Sequence, residues 1–172
     1  MKIERTLAYH NPELVSEWHP TLNLDKTPYN ISFGSGYKAW WILRYYDSKT
    51  DKVFIFEWQA AVYHRSKGEG CPYLAGKKVY AGFNDFATIC PELKDQVHPE
   101  KNHGLQATDI FAYSNKKIWW LYPYDDLDMC KHFDFEWEAS PASRINSKGC
   151  PFIANQRIWP GYNDLKTKFP QI

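Results

Sequence analysis

The chain has 172 residues and carries 21 basic against 20 acidic side chains, a net charge of +1. That balance excludes a global basic field that would draw in nucleic acid and leaves only local patches for the purpose. No apolar run approaches the ~20 residues that span a bilayer, and the opening MKIERTLAYH lacks the apolar stretch of a signal peptide, so the chain reads as cytoplasmic and free of membrane contact.

The predicted elements come in two copies. Residues 12–93 overlay residues 91–172 at one offset, without a gap. Pro12-Glu13-Leu14 recurs as Pro91-Glu92-Leu93, His19-Pro20 as His98-Pro99, and Trp40-Trp41 as Trp119-Trp120. Phe56-Glu57-Trp58 recurs as Phe135-Glu136-Trp137, Arg65 as Arg144, Gly70-Cys71-Pro72 as Gly149-Cys150-Pro151, and Asn84-Asp85 as Asn163-Asp164. Such agreement defines a duplicated unit, and any site must be sought twice. We place the division at residues 1–88 and 89–172. Units of this size need a metal, a partner or each other, so the halves are expected to pack together. Aromatic residues, 17% of the chain with eight Trp and twelve Tyr, can stabilise a thin core.

Each copy opens on a short helical signal. Asn11-Pro12-Glu13-Leu14 offers an N-cap, a proline at the first helical position and an early acid, and Cys90-Pro91-Glu92-Leu93 nearly repeats it. A further short helix is predicted over residues 86–89, capped at Asn84-Asp85, and Thr6-Leu7-Ala8 reads as the same element ahead of the first copy. Aromatic and β-branched runs at 39–46 and 53–62, joined by a polar turn, predict a hairpin. Its counterpart runs over 118–124 and 133–140 around a tip at 125–131, and Pro141 marks an edge. The Gly-Cys-Pro turn then leads into a shorter strand near 77–80 and near 156–159. The fold class is therefore α+β and β-rich, with two tandem units of a β-hairpin plus short helices.

The motifs divide into candidates for recognition and candidates for support. Neighbouring strand residues face opposite sides, so one Trp of each pair enters the core and the other lies outside. The outer Trp is a stacking platform unless a neighbouring segment covers it, and covering is the favoured reading. Arg65 and Arg144 read equally as contacts to phosphate or carboxylate and as guanidinium groups stacked on Trp or bonded to turn carbonyls. His19 and His98 read as braces of a turn with Asn23 and Asn102. Cys71 and Cys150 read as buried turn residues. Cys90 and Cys130 lack equivalent cysteines, which disfavours a disulfide framework. No phosphate loop, Ser-His-Asp order or paired-acid motif is present, and the chain reads as non-enzymatic.

In their order, the Pro-Glu-Leu, His-Pro, Trp-Trp, Glu-Trp, Arg, Gly-Cys-Pro and Asn-Asp motifs resemble the tandem probable zinc-ribbon repeats of bacterial, plant and large-virus proteins. The resemblance covers nearly the whole chain. It implies one zinc per repeat, held by a Cys after the Trp pair, a His before Glu-Trp and two Cys of a Cys-Pro-Tyr-Cys turn. Those positions hold Leu43, Phe56, Cys71 and Leu74 in the first copy, and Tyr122, Phe135, Cys150 and Ile153 in the second. One ligand of four cannot close a tetrahedron, so metal-free units without a cofactor are expected, with apolar contact in place of the ion. A structural zinc supplies roughly 10–16 kcal/mol, whereas burying a Phe, Leu or Ile returns ~1.5–3 kcal/mol each. The remainder falls to the hairpin aromatics and to docking of the units. A rival placement of the insertion in the second copy gathers Cys130, His132 and Cys150 as three ligands, with the fourth missing.

Two functions lead over a third, that of a purely structural subunit in a larger assembly. The resemblance implies a nucleic-acid (DNA)-associated module in a bacterial or viral setting, with DNA or RNA met by Trp40, Trp41, Arg65, Lys77, Lys78, Trp119, Trp120, Arg144 and Arg157. Lys38, Lys116, Lys117 and Lys148 would add to the basic contacts. The alternative is a protein-binding adaptor or inhibitor, carried by a phage or mobile element, whose acidic tip at Asp125, Asp126 and Asp128 grips a basic partner. Loops that diverge on a shared scaffold suit recognition. The first reading leads narrowly, and neither takes a small-molecule substrate.

Overall fold

Two antiparallel hairpins carry the architecture, seen in a computed structural model that describes residues 2–147 and 149–171. Strand β1 (Lys38–Asp47) pairs with β2 (Lys52–Ala61), and β3 (Ile118–Asp126) with β4 (Lys131–Ala139). Each pair is a sheet of its own. Side chains alternate between faces along a strand, and the register sorts them cleanly. In the first hairpin Ala39 faces Ala60, Trp41 faces Trp58, Leu43 faces Phe56 and Tyr45 faces Phe54. The second sets Ile118 against Ala139, Trp120 against Trp137, Tyr122 against Phe135 and Tyr124 against Phe133. These apolar pairs form the inner faces, and Trp41, Phe56, Trp120 and Phe135 are all fully buried there.

Short helices close the units. α1 (Leu7–His10), α3 (Phe86–Ile89) and α5 (Leu165–Lys168) are single turns, too short to persist alone. Asp85 and Asp164 cap α3 and α5, accepting from Thr88 N at 2.9 Å and Thr167 N at 3.0 Å. Each carboxylate also accepts from the glycine three residues earlier, Gly82 or Gly161. Both glycines have φ above +80°, a conformation that costs other residues energy. The Pro-Glu-Leu segments form 3-10 helices, Pro12–Glu17 and Pro91–Gln96.

Three expectations need correction. A helix follows each hairpin directly, α2 (Val62–Ser66) and α4 (Pro141–Asn146), where none was predicted. Ser140-Pro141 carried the signal, since Ser140 Oγ accepts from Ser143 N at 3.2 Å and Pro141 takes the first helical position. The strands predicted near 77–80 and 156–159 are irregular. There Tyr80 N and Trp159 N donate to the side chains of Asn84 and Asn163, each at 2.7 Å, instead of to a neighbouring strand. The chain also divides earlier than the 88/89 boundary, into Met1–Lys77 and Lys78–Ile172. α3 belongs to the second unit, because Phe86 N donates to Ile110 O at 2.8 Å and Ala112 N to Asn84 O at 3.0 Å. In the first unit Leu7 N, at the head of α1, likewise donates to Ile31 O at 2.9 Å.

The two hairpin faces therefore differ in energetic weight. Phe135→Ala is expected to lower the unfolding free energy by about 3–5 kcal/mol, as for a buried aromatic truncated to a cavity. Asp134→Ala, one residue away on the opposite face, is expected to change it by no more than about 0.5 kcal/mol. Urea unfolding followed by tryptophan fluorescence measures both.

Candidate functional site

The positions where the resemblance places a zinc lie on the inner face. Leu43 and Phe56 are cross-strand partners, as are Tyr122 and Phe135. In the second unit the Phe135 ring meets Tyr162 at 5.0 Å, Phe152 and Trp159 at 5.3 Å, Phe133 at 5.6 Å and Tyr124 at 5.9 Å between centroids. In the first, Phe56 stacks on Tyr73 at 5.3 Å and Phe54 at 5.9 Å. Such offset and edge contacts add to what burial alone supplies. The ring that packs from each Cys-Pro turn is Tyr73 or Phe152, one residue before the position expected to do so. Leu74 is 43% exposed, and Ile153 only partly covered.

The surviving donors do not fit a zinc tetrahedron. Cys71 and Cys150 are buried. Cys130 is exposed at the hairpin tip, with φ +50° and its thiol directed at Leu127 O, 3.5 Å away. His132 engages carboxylates at both ring nitrogens, Asp125 at 2.6 Å and Asp134 at 3.2 Å. Among the described residues no group of three or more His, Cys, Asp or Glu is placed to hold a metal ion. The rival set of Cys130, His132 and Cys150 is not assembled.

The two arginines are core groups. Arg65 is 4% exposed and Arg144 is 2% exposed. Each guanidinium lies between the paired tryptophans of its own hairpin. The Arg65 carbon is 5.0 Å from the Trp41 ring and 5.4 Å from Trp58, and the Arg144 carbon is 5.2 Å from Trp120 and 5.0 Å from Trp137. A desolvated cation over an indole is attracted by roughly 2 kcal/mol or more. Arg65 donates further to Glu69 O and to the Glu17 carboxylate. Arg144 donates to Gly149 O at 2.6 Å, Ser147 O at 3.3 Å and the Gln96 amide oxygen at 2.6 Å. Burial pushes both guanidinium groups downward from their ordinary value, opposed by Glu17 at Arg65 but only by the Cys150 and Cys90 thiols at Arg144. The repeat thus keeps the cation and exchanges its anion for a neutral amide.

His19 and His98 brace the strand entry. Their Nδ1 atoms accept from two backbone N–H groups each, at 3.2–3.3 Å, which leaves the proton on Nε2 facing Glu57 at 3.3 Å and Glu136 at 3.1 Å. Asn23 and Asn102 tie the same turn to Trp40 and Trp119 through paired backbone bonds of 2.8–2.9 Å. The Glu of each Glu-Trp motif therefore fixes the tautomer and orientation of the His-Pro histidine.

The outer faces separate the copies. In the first hairpin that face carries Trp40, Ile42, Arg44, Tyr46, Val53, Ile55, Glu57 and Gln59. Tyr46, Val53 and Ile55 are about half exposed, at 57%, 47% and 53%. The second places Trp119, Leu121, Pro123, Asp125, His132, Asp134, Glu136 and Glu138 there. Tyr46 thus becomes Asp125, Val53 becomes His132, Ile55 becomes Asp134 and Gln59 becomes Glu138. An apolar strip has become an acidic one.

The remaining candidate residues are scattered. Trp41 and Trp120 are sealed in the cores, their indole N–H groups donating to Ala60 O at 3.0 Å and Ala139 O at 2.9 Å. Trp40 and Trp119 are half-buried, and the Lys101 ammonium lies 4.5 Å above the Trp119 ring. Lys77, Lys78 and Arg157 are exposed. Asp125 and Asp128 are exposed as well, whereas Asp126 closes the turn by accepting from Met129 N at 2.8 Å. Lys148 lies outside the described residues. Sequence reading grouped the acidic Asp134, Glu136 and Glu138 with the second tip but missed their outer-face counterparts Tyr46, Val53 and Ile55, which strand alternation could have supplied. No helix of the described residues is long and apolar enough to cross a membrane.

Repeated hairpins, their following helices and Cys-Pro turns define a tandem, zinc-finger-like module. The family model described as a probable treble clef zinc finger domain matches the chain twice, over residues 14–77 and 93–152, and the chain belongs to that family. No curated protein and no solved structure matches it. Membership carries a binding role, toward nucleic acid or protein, as its broadest functional content.

The exchange of Glu17 for Gln96 is testable in both directions. Glu17→Gln is expected to destabilise the first unit by about 1–3 kcal/mol, the worth of a hydrogen bond to a charged partner. Gln96→Glu is expected to stabilise the second, with chemical denaturation as the readout. The Asp125 and Asp134 hydrogen bonds raise the His132 pKa above its ordinary 6.5. Its share of stability is therefore present below 6.5 and fades as pH rises through the raised folded value. An NMR titration is expected to place the His132 midpoint above 6.5, and Asp125→Asn is expected to lower it.

Proposed function

We propose that the chain is a non-catalytic recognition module whose ligand is a protein, met by the outer faces of the two hairpins. The observation that carries this reading is the divergence of those faces on a shared inner scaffold. Four residues that change type along one face, from Tyr46, Val53, Ile55 and Gln59 to Asp125, His132, Asp134 and Glu138, need no such change to preserve packing. Exposed aromatic and aliphatic groups beside a single Arg suit a partner's apolar patch, and the acidic strip suits a basic one.

The nucleic-acid reading loses four of its expected contacts to the cores, namely Trp41, Trp120, Arg65 and Arg144. Lys77, Lys78 and Arg157 still favour it as an exposed basic set. Burial of the recurring thiols and full engagement of the His19 and His98 rings support a role without catalysis.

Capture from host lysate tests the protein reading. The intact chain is expected to recover a specific protein that the triple variant Asp125→Asn, Asp134→Asn, Glu138→Gln loses while retaining its fold. Titration with duplex DNA and single-stranded RNA at 150 mM salt is expected to give only weak, non-saturating binding, in the nonspecific range above roughly 1 μM. Saturable nanomolar binding that falls steeply with salt and disappears in the Lys77→Ala, Lys78→Ala, Arg157→Ala variant would establish the nucleic-acid function instead.

A further inference from the structure

The two units differ at the residue just before the bracing histidine, which is Trp18 in the first and Val97 in the second. In the first unit the Trp18 backbone bridges that of Trp41, and its indole stands edge-on to the Trp41 ring, 5.2 Å between centroids. The indole Nε1 donates to Lys26 O at 3.2 Å. In the second unit the same backbone bridge joins Val97 to Trp120, so the positions are structurally equivalent. No ring stands there. The surroundings shrink as well, since Pro28 becomes Ala107 and Tyr29 becomes Thr108.

Phe86 occupies the place of Leu7 and meets the Trp120 ring at 5.0 Å. A surface pocket of about 390 Å³ lies beside Val97, lined by Val97, Leu105 and Ala107 together with the charged Lys94 and Asp95 and the polar Gln106 and Thr108. That volume is within the range of pockets that hold ligands. Val97 and Ala107 are buried, and polar and apolar groups share the lining about equally. Leu105 is the counterpart of Lys26, and among the described residues its carbonyl accepts no hydrogen bond.

We propose that this pocket receives an aromatic side chain of the indole type, presented by the partner protein. The inference rests on the protein-recognition reading above and adds a second point of contact, outside the hairpin faces. The occupant is argued from the first unit, which fills the same place with its own tryptophan and satisfies the indole N–H on the equivalent carbonyl. A partner tryptophan would bury its ring against Val97, Leu105 and Ala107 and donate to Leu105 O. Large aromatic anchors seated in such pockets dominate the energetics of many interfaces.

The test uses the full chain and N-acetyl-L-tryptophanamide, with amide chemical shifts as the readout, and needs no partner. Saturable shifts are expected at Val97, Leu105, Ala107 and Thr108, and none around Trp18 and Lys26. The phenylalanine analogue is expected to bind about fivefold more weakly, as befits loss of one hydrogen bond, and the leucine analogue more weakly still. Val97→Trp is expected to fill the pocket and abolish binding. Thr108→Tyr, which places the first unit's Tyr29 ring at an exposed lining position, is expected to weaken binding at least about fivefold and guards against misfolding of the first variant. No saturable shift, equal affinity for the three probes, or undiminished binding in both variants would overturn the proposal. Any of these would leave the protein-recognition reading standing, because that reading fails only by the lysate and nucleic-acid experiments.

Discussion

Each unit depends on an aromatic ring buried where the family's pattern places a metal ligand. Phe56 and Phe135 sit on the inner faces of the hairpins, fully buried. The Cys-Pro turn reaches each of them through a second ring, Tyr73 or Phe152, 5.3 Å away. A zinc ion joins hairpin and turn by a few strong bonds of fixed geometry. Ring contacts join them by many weak ones, which tolerate differences between copies as long as the volume is filled. In the second unit Tyr162 and Trp159 also lie against Phe135.

Paired tryptophans with an arginine between them form the second constant of the unit. The guanidinium bonds the loop carbonyls that follow α2 or α4, Glu69 O in one case and Ser147 O and Gly149 O in the other. It therefore ties the hairpin core to the loop that leads into the Cys-Pro turn. Glu17 neutralises this cation in the first unit, and Gln96 merely solvates it in the second. Apart from Trp40 and Glu57, and Trp119 and Glu136, which tie the His-Pro turns to the hairpins, the outer-face positions carry few of these contacts. Those positions have changed chemistry, from Tyr46, Val53 and Ile55 to Asp125, His132 and Asp134.

Much of the fold was legible in the sequence because repetition doubles each local signal. The hairpins, the 86–89 helix with its Asp85 cap and the Pro-Glu-Leu turns were each announced by short-range rules of alternation, capping and proline placement. The first of the helices after the hairpins was missed because α2 opens on Val62-Tyr63, strand-favouring residues, behind an Ala61 that has no side chain to cap it. The short strands near 77–80 and 156–159 were expected from β-branched and aromatic residues, and Asn84 and Asn163 won that competition by bonding the backbone themselves. The candidate site was less legible. Whether an Arg near two Trp residues faces solvent or core depends on the cross-strand register of Trp41 with Trp58 and of Trp120 with Trp137. That register is a tertiary fact, beyond composition and spacing. Trp18 and Val97 could be aligned from sequence, yet the pocket beside Val97 required the fold that brings residues 94–99 and 105–108 together.

The account stands on ring packing in place of a coordinated ion. Elemental analysis of the purified chain, paired with thermal unfolding in the presence and absence of excess EDTA, addresses it most directly. The account predicts substoichiometric zinc and the same unfolding midpoint in both buffers. One or two zinc ions per chain, with loss of cooperative unfolding on chelation, would contradict it.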